Sequence, residues 1–499
     1  MKRYPAARFQ MTLFLVSLCL FAGCHLAKEE HSQVVLKSLE GKMIPVSEIE
    51  PAVEQIMKRA GVTGLSCAVL NDSEIVYAKA FGLRNKKSET RNDEQTIFSA
   101  ASFSKTVFAY LVMKLVEEGI IDLDKPLQEY LGQPLYKYAK YADLEGDGRC
   151  EKITARIVLS HQTGFPNWRF LTDDGKLRFL FDPGERYSYS GEGIALLQMT
   201  VEKITGRGLE ELAREKVFGP LGMTRTSYVW QEEFAKDYAW PHDEFERPRR
   251  KDMRGEADAA GSMQTTAEDY ARLLRDVLQA KNLSRALIDK MLTPQVAITS
   301  ERMFGPGAWR ETEANQDIHL SWCLGWGRFD SKRGRAFFHT GHEFGFQNYT
   351  VTYADAGVGI VLLSNSDNFE SVAREILSAS IGPEESPFNW LGYEPFDPSK
   401  KRTPPPERKA IGVKPDILAD YVGEYEIQSG QVIGIKLEEG HLCFASEKGK
   451  WLEMLAESET VFFIEDSDYV FTFRRDPGGR VTGLVLSVQG MEIEAKKLK

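Results

Sequence analysis

Apolar side chains near the start of the chain recur first at helical and then at strand spacing. A helix is predicted over 46–60, ending at Gly61, and two strands joined by a short turn follow over 65–70 and 75–80. The run from Ser102 to Gly119 returns to helical spacing and predicts a helix with one buried stripe.

Strand spacing reappears only after a long helical and loop region that reaches about Ala280. Three strands are predicted over 335–338, 349–353 and 357–363, and a last helix over 369–381. Strands at both ends with helices between them indicate one antiparallel sheet closed by the two chain halves. The predicted fold class is therefore α/β, a sheet flanked by helices with a helical subdomain.

The pattern changes again beyond residue 383. Prolines and charged residues dominate up to about residue 409, a composition typical of a semi-rigid linker. Short apolar runs separated by Gly and Pro turns follow, and they predict a small all-β meander barrel. The predicted barrel strands are 432–437, 441–444, 461–464, 469–473 and 484–488.

The amino terminus has the pattern of a secretory leader. Lys2, Arg3 and Arg8 precede an apolar run that is too short to span a bilayer. The run ends in Phe-Ala-Gly-Cys24, which resembles a bacterial lipobox, the signal for cleavage before a cysteine that is then lipidated. This predicts a lipid-anchored protein at the periplasmic face of the cell envelope, with an ordinary cleaved signal as the alternative. The predicted organisation is a leader over 1–23, a tether over 24–45, a main domain over 46–385, a linker over 386–410 and a barrel over 411–499.

The charge and the cysteine content argue against a nucleic-acid partner, a disulfide framework and a zinc site. The net charge is −10 with both signs interspersed, which argues against a nucleic-acid partner. Beyond Cys24, the cysteines are far apart and none is paired in a Cys-x-x-Cys motif. They are predicted to be buried thiols, and neither a disulfide framework nor a zinc site. The alternative is that one disulfide forms in an oxidising compartment. These residues are Cys67, Cys150, Cys323 and Cys443.

Candidate chemistry begins at Ser102 and Lys105, the only Ser-x-x-Lys in the chain. At positions i and i+3 of a helix the two side chains share one face, so the amine reaches the hydroxyl. A serine nucleophile needs an adjacent base, and a lysine serves as one when burial or a nearby cation lowers its pKa. The structural alternative is that Ser102 only caps the helix.

Two later stretches extend this pattern. PGERYSYSGEG, residues 183–193, precedes an apolar helix, and FFHTGH, residues 337–342, closes a strand. Residues from about 50 to 385 thereby resemble the class C β-lactamase-related serine hydrolases, a family shared with D-alanyl-D-alanine peptidases and esterases. The signatures of that family are Ser-x-x-Lys, Tyr-x-Asn and Lys/His-Thr-Gly, in this order. LSHQTGFPNW, residues 159–168, and residues 259–274 resemble its supporting segments, and the predicted barrel resembles the lipocalin-like module that often follows it.

The resemblance implies roles for individual residues. Ser102 attacks a carbonyl and forms an acyl-enzyme, while Lys105 and Tyr189 share its proton. The N–H groups of Ser102 and His342 hold the oxyanion. The implied substrate is a small molecule or a peptide, with the cell wall as one source, and neither a cofactor nor a metal is implied. The substrate-binding residues implied are Gly191, His339, Thr340, Gly341 and His342.

Two departures from the family narrow the expected activity. Gly191 stands where the family has an asparagine that hydrogen-bonds a substrate amide, so an esterase or peptidase is favoured over an efficient β-lactamase. The glycine is also expected to leave open space beside Tyr189. His339 replaces lysine, as in many peptidase and esterase members. The alternative is a catalytically inactive lipoprotein of the same fold that binds peptidoglycan or peptide.

Other motifs in the chain predict no chemistry. Ser366-Asp367-Asn368 spells a class A β-lactamase motif but follows the His-Thr-Gly strand, in the wrong order, and is interpreted as a loop. His339 and His342 lie three residues apart on a strand and therefore face opposite sides, which argues against a zinc hydrolase.

Overall fold

The computed structural model of the protein describes residues 34–382, 386–400, 402–404, 408–427, 432–445, 451–488 and 491–498. The predicted leader over 1–23, the predicted lipidation residue Cys24 and the first part of the predicted tether lie outside these residues. Among the described helices, none combines the length and apolar character needed to cross a bilayer.

A nine-stranded antiparallel sheet forms the centre of the main domain, as the predicted fold class requires. Its strand order is β5-β4-β3-β13-β12-β11-β10-β9-β8, and the β3–β13 pairing joins the two halves of the domain. The pairs β1–β2 and β6–β7 lie outside this sheet. The strands are β1 (Val35–Lys37), β2 (Met43–Pro45), β3 (Gly64–Asn71), β4 (Glu74–Asn85), β5 (Thr90–Arg91), β6 (Phe98–Ser99), β7 (Gln264–Thr265), β8 (Val296–Ala297), β9 (Ser321–Trp322), β10 (Gly327–Ser331), β11 (Gly334–Glu343), β12 (Phe346–Tyr353) and β13 (Val358–Ser364).

Helices cover both faces of this sheet, and most of them belong to the helical region between the two groups of strands. The predicted helix over 369–381 begins as a 3-10 turn at Phe369–Ser371, and an α-helix follows over Ala373–Ser380. The helices are α1 (Val46–Ala60), α2 (Phe103–Glu117), α3 (Leu127–Leu131), α4 (Ala155–Leu159), α5 (Gly191–Thr205), α6 (Leu209–Ala213), α7 (Gly219–Leu221), α8 (Ala267–Gln279), α9 (Arg285–Met291), α10 (Ala373–Ser380) and α11 (Phe388–Leu391).

Strand β3 shows how the sheet divides two hydrophobic cores. Every residue of β3 is buried, because both faces of the sheet are covered. Ala68 and Leu70 pack into the core on the side of the helical region, while Leu65, Cys67 and Val69 pack into the opposite core. This alternation follows the two-residue period of a strand.

The two predicted helices of the first half have different surroundings. Helix α1 has the predicted bounds and ends at Gly61 in the left-handed conformation, with φ 70°. Helix α2 differs from the prediction of a single buried stripe, since every residue from Phe103 to Met113 is buried. It lies between the sheet and the helical region, so the polar Ser104 and Lys105 are inside the protein as well.

The carboxy-terminal part is a closed antiparallel barrel of eight strands preceded by helix α12 (Pro415–Tyr421). The prediction of an all-β barrel is confirmed, but three strands were missed because charged residues interrupt the apolar runs in them: β14, β17 and β21. Aromatic side chains, including Phe444, Phe462 and Phe473, pack in its core. The strands are β14 (Gly423–Ile427), β15 (Val432–Glu438), β16 (His441–Ala445), β17 (Leu452–Ala456), β18 (Val461–Phe463), β19 (Val470–Arg475), β20 (Val481–Val488) and β21 (Met491–Lys497).

Two segments predicted to be connectors are partly built into the main domain. The second half of the predicted tether forms the β1–β2 hairpin, in which Leu36 is fully buried. The first part of the predicted linker over 386–410 carries α11, whose Phe388 and Trp390 pack into the core that contains α1. Although the surrounding composition is Pro-rich, these aromatic side chains favour packing, because burial removes their apolar surface from water.

The cysteine prediction is confirmed for all four described residues. Cys67, Cys150, Cys323 and Cys443 are free and buried. Burial raises the pKa of the Cys150 thiol to about 11, which favours the unreactive thiol form.

We expect Trp390→Ala to lower the free energy of unfolding by about 3–5 kcal/mol, because its side chain is 1% exposed and its removal leaves a large cavity. The control is Met43→Ala, at a side chain that is 54% exposed, with an expected change of about 0.5 kcal/mol. Urea unfolding of the full chain measures both. Equal, small effects would mean that residues 386–396 are a linker after all.

Candidate active site

The backbone around Ser102 leaves its hydroxyl free of a structural role. Ser102 occupies the N-cap position of α2 but has helical dihedrals and accepts no capping hydrogen bond, so the interpretation of Ser102 as a cap is not supported. Ser104 does the structural work: its Oγ donates to the Ala101 carbonyl at 2.6 Å and accepts from the Met263 N–H at 3.0 Å. Ala101 has φ 44°, a left-handed conformation that is costly for a residue with a Cβ.

Lys105 lies one turn along α2 from Ser102, as its spacing predicts. Its Nζ donates to Ser102 Oγ at 3.0 Å and to the Ala260 carbonyl at 2.5 Å. The side chain is only 1% exposed. Burial lowers the pKa of Lys105 to about 7, against a smaller opposing effect of the Asp258 carboxylate. Lys105 therefore has both the position and the pKa of a general base for Ser102.

Tyr189 reaches the same place from the turn that precedes α5. Its ring centroid lies 4.9 Å from Lys105 Nζ, and its hydroxyl is buried without a hydrogen-bond partner among the described residues. Burial raises the pKa of Tyr189 above its usual value, and the Ser102 hydroxyl opposes this rise in part. The two hydroxyls are therefore neighbours, although they do not meet hydrogen-bond geometry. A buried, unpartnered hydroxyl beside a nucleophile is available for a substrate or a water molecule.

Strand β11 runs past the start of α2. A Cβ on Gly341 would lie 2.6 Å from the Ala100 carbonyl oxygen, so only glycine permits this close approach. The neighbouring strand β12 contributes Asn348, whose amide donates to the Ser99 carbonyl at 3.0 Å and ties the sheet to the loop before Ser102. The strand edge predicted to bind substrate is therefore held against the loop that leads into Ser102, the predicted nucleophile.

The two histidines of this strand point to opposite sides, as predicted. His339 is fully buried; its Nδ1 lies 2.6 Å from the Thr340 carbonyl, and its Nε2 has no partner among the described residues. Burial, together with the charge of Lys105, lowers the pKa of His339 to about 3, so the ring is neutral. His342 is exposed on the other side, with its Nδ1 2.9 Å from Glu370. Of the two histidines in this motif, His339 therefore places a neutral ring in the site, and His342 has its ring exposed on the opposite side of the strand.

Comparison with known proteins decides the family. Residues 49–380 match the family described as Beta-lactamase, and residues 407–498 match a domain described as a domain of unknown function, DUF3471. The first match covers well over half of the chain. The chain belongs to the beta-lactamase family.

Relatives within this family differ in what they are named for. Penicillin-binding protein 4* of Bacillus subtilis is 23% identical over 465 residues, which cover 85% of this chain and 93% of the relative. Esterase EstB of Burkholderia gladioli is 27% identical over 232 residues, 41% of this chain and 56% of the relative. A solved class C beta-lactamase mutant superposes with a TM-score of 0.54 at 19% identity, covering 67% of this chain and 97% of the mutant. The last comparison supports the fold alone.

The family's asparagine position is filled differently here from what was expected. A Cβ on Gly191 would lie 2.5 Å from Cη2 of Trp168, so the indole ring occupies the space that was expected to be open. The Gly191 N–H is also engaged, donating to the backbone and side-chain oxygens of Asn167 at 3.0 Å each. Gly191 therefore offers a substrate neither a side chain nor a free N–H, and Trp168 takes its place in the wall of the site.

His161, like Trp168, lies at the site although the sequence motifs assigned it no role. It lies in the supporting segment 159–168, with its ring centroid 4.2 Å from that of Tyr189. Its Nδ1 accepts from the Ser190 N–H at 3.2 Å. Burial lowers the pKa of His161 well below its usual value, so this ring is also neutral. The motif LSHQTGFPNW was the available signal for both His161 and Trp168.

We expect Gly191→Ala to lower the free energy of unfolding by about 1–3 kcal/mol, because the new methyl group overlaps the Trp168 ring. In the double variant with Trp168→Ala this penalty should largely disappear, giving a coupling energy of about 0.5–3 kcal/mol. Thermal unfolding of the four proteins measures the cycle.

The matched control is Gly208→Ala, since a Cβ on Gly208 meets nothing within 4 Å and its φ is −73°. That change should stay within about 1 kcal/mol of the parent. Additive effects of the substitutions at positions 168 and 191 would contradict the contact.

Proposed function

We propose that the protein is a serine hydrolase that works through an acyl-enzyme on Ser102. The observation that carries this proposal is the buried Lys105 amine 3.0 Å from the Ser102 hydroxyl, with a pKa of about 7. An amine in this state accepts a proton near neutral pH, whereas an ordinary exposed lysine does not.

The reaction follows from the arrangement of these groups. Ser102 Oγ attacks the carbonyl carbon and its proton passes to neutral Lys105. The oxyanion that forms is held by the N–H groups of Ser102 and His342. The intermediate then collapses, and the leaving group departs with a proton from Lys105, relayed by the Tyr189 hydroxyl.

Deacylation uses the same groups in reverse roles. A water molecule attacks the acyl carbonyl while its proton passes through the Tyr189 hydroxyl to neutral Lys105, and Lys105 then returns a proton to Ser102 Oγ as the acyl bond breaks. The atoms Tyr189 Oη and His339 Nε2 support this proposal, because neither has a hydrogen-bond partner among the described residues and a bound substrate or water supplies one.

Esters are the proposed preferred substrates, ahead of amides, D-amino peptides and β-lactams. At position 191 no side-chain amide is available to hydrogen-bond a substrate amide, and the backbone N–H already donates to Asn167. One relative in the family is named as an esterase and another as a penicillin-binding protein, so the names alone do not choose between these classes.

The proposed location is the bacterial cell envelope, with a lipid on Cys24 as the anchor. The leader pattern supports this, and so does the similarity to a relative named as a penicillin-binding protein.

We expect a fluorophosphonate probe to add its mass to the peptide that contains Ser102, since the probe reacts with activated serine hydroxyls. Ser102→Ala should abolish the adduct and lower ester hydrolysis by at least about 10³-fold. The control is Ser88→Ala, at an exposed serine outside the motif, which should leave labelling at Ser102 unchanged. Intact protein mass and peptide mapping give the result. Absence of the adduct would favour the inactive binding protein.

The pH profile provides an independent test of the base. Lys105 accepts a proton only when neutral, and a lowered pKa of about 7 makes it neutral above that pH. For an uncharged ester, kcat/KM should rise about 10-fold per pH unit below pH 7 and level off above about pH 8.

Lys105→Arg keeps the positive charge but does not release a proton in this range, so it should lose activity at every pH. A wild-type profile that keeps rising towards pH 10 would contradict the assignment of Lys105 as a base with a lowered pKa.

A further inference from the structure

Exposed aromatic side chains surround the turn that carries Tyr189. Phe170 is 60% exposed, and Phe304 and Trp309 are each 49% exposed. They lie in two segments far apart in sequence, and Trp168 adjoins the first of them. We call Trp168, Phe170, Phe304 and Trp309 the aromatic rim. Large exposed apolar side chains grouped beside a reactive centre are typical of a binding surface.

The segment that contains Trp168 and Phe170, which we call the first wall of the rim, is clamped to the start of α5. The Arg169 guanidinium forms an ion pair with the buried Glu192 at 2.8 Å, and the Arg169 N–H donates to the same carboxylate at 3.1 Å. On the other side of Trp168, the Asn167 carbonyl accepts from the N–H groups of Gly191 and Glu192 at 3.0 and 3.1 Å. Trp168 is thus fixed between two anchored neighbours, directly over Gly191.

This clamp also places Phe170. Its ring is stacked on that of Trp168 with an interplanar angle of 10° and a centroid separation of 6.0 Å. The first wall therefore extends from the backbone of position 191 outward to solvent as a continuous aromatic surface.

The second wall of the rim is the segment that contains Phe304 and Trp309. It is held by Arg186, which lies just before Tyr189 in the chain. Arg186 donates to the Ala308 carbonyl at 3.1 Å, and its guanidinium carbon lies 5.5 Å from the ring centroid of Trp309. Phe304, which lies in the same segment as Trp309, has its ring edge-to-face with that of Tyr189 at a centroid separation of 5.4 Å. The half-exposed Phe304 thus continues the surface of a residue assigned to catalysis.

We propose that the aromatic rim binds a large apolar group, aromatic in particular, attached to the scissile carbonyl of the substrate. Trp168 is the specificity-determining residue, because its ring fills the place of the family's asparagine and replaces an amide-binding contact by an apolar one. The inference rests on the proposed function of Ser102. At position 191 an acyl group with its own amide finds no side-chain hydrogen-bond partner, whereas a phenyl ring finds Trp168 and Phe304.

The position of the rim favours a substrate over a protein partner. Both walls are anchored to residues 183–192, and one of them contacts the Tyr189 ring itself. A group attached to the carbon that Ser102 attacks lies beside Tyr189, whose ring Phe304 contacts. A surface built for a separate partner does not need this continuity with the nucleophile.

The test uses p-nitrophenyl phenylacetate and p-nitrophenyl acetate, which share one leaving group and differ only in the acyl group. In the full-length wild-type protein, kcat/KM should favour phenylacetate by at least about 10-fold. Trp168→Ala should lower this preference by about 10-fold, while Trp168→Phe should retain most of it. Trp451→Ala, at an exposed tryptophan of the barrel, is the matched control and should leave the preference unchanged.

The outcomes separate this inference from the proposed function. If Trp168→Ala lowers kcat/KM for both esters equally, Trp168 is structural and the inference is overturned, while Ser102 labelling still supports the hydrolase. If Trp168→Ala does not fold, Phe304→Ala gives the same reading, since Phe304 is half-exposed. Ethyl phenylacetate and benzyl acetate then compare the two sides of the ester, and a preference for benzyl acetate would overturn the assignment to the acyl group.

Discussion

A lysine amine held out of water, 3.0 Å from the Ser102 hydroxyl, is the interaction on which the rest of this site depends. A charged amine in such a place is unfavourable, so burial shifts Lys105 toward its neutral form. That shift requires walls that exclude water on every side. The sheet, the helical region and the Tyr189 ring supply them, which explains why α2 is buried all round and not along one stripe.

The backbone next to Ser102 is also unusual. Ala101 takes a left-handed conformation just before Ser102, and Ser104 stabilises it by hydrogen bonds to the Ala101 carbonyl and the Met263 N–H. Strand β11 must also approach closely, which Gly341 allows. Strain and close approach are therefore concentrated around Ser102, and hydrogen bonds from well-packed neighbours maintain them.

Gly191 and Trp168 show how a family site changes character through a coupled pair. An asparagine at position 191 is incompatible with the present position of the indole ring, because even a Cβ comes within 2.5 Å of it. The two residues therefore belong together: the glycine admits the ring, and the ring replaces a polar side chain by an apolar surface. Hydrogen bonds from the Gly191 N–H to Asn167 and the Arg169–Glu192 ion pair keep the ring in place.

Local periodicity and motif order in the sequence determined helix α1 with its Gly61 stop, the β3–β4 pair, the burial of the cysteines and the pairing of Ser102 with Lys105. These features depend on residues close in the chain, whose spacing sets which face they share. Only the tertiary structure decided that Trp168 covers Gly191, that Trp390 packs into the core and that α2 is buried all round. Each of these depends on contacts between segments distant in sequence, and neither composition nor spacing specifies which distant side chain fills a given space.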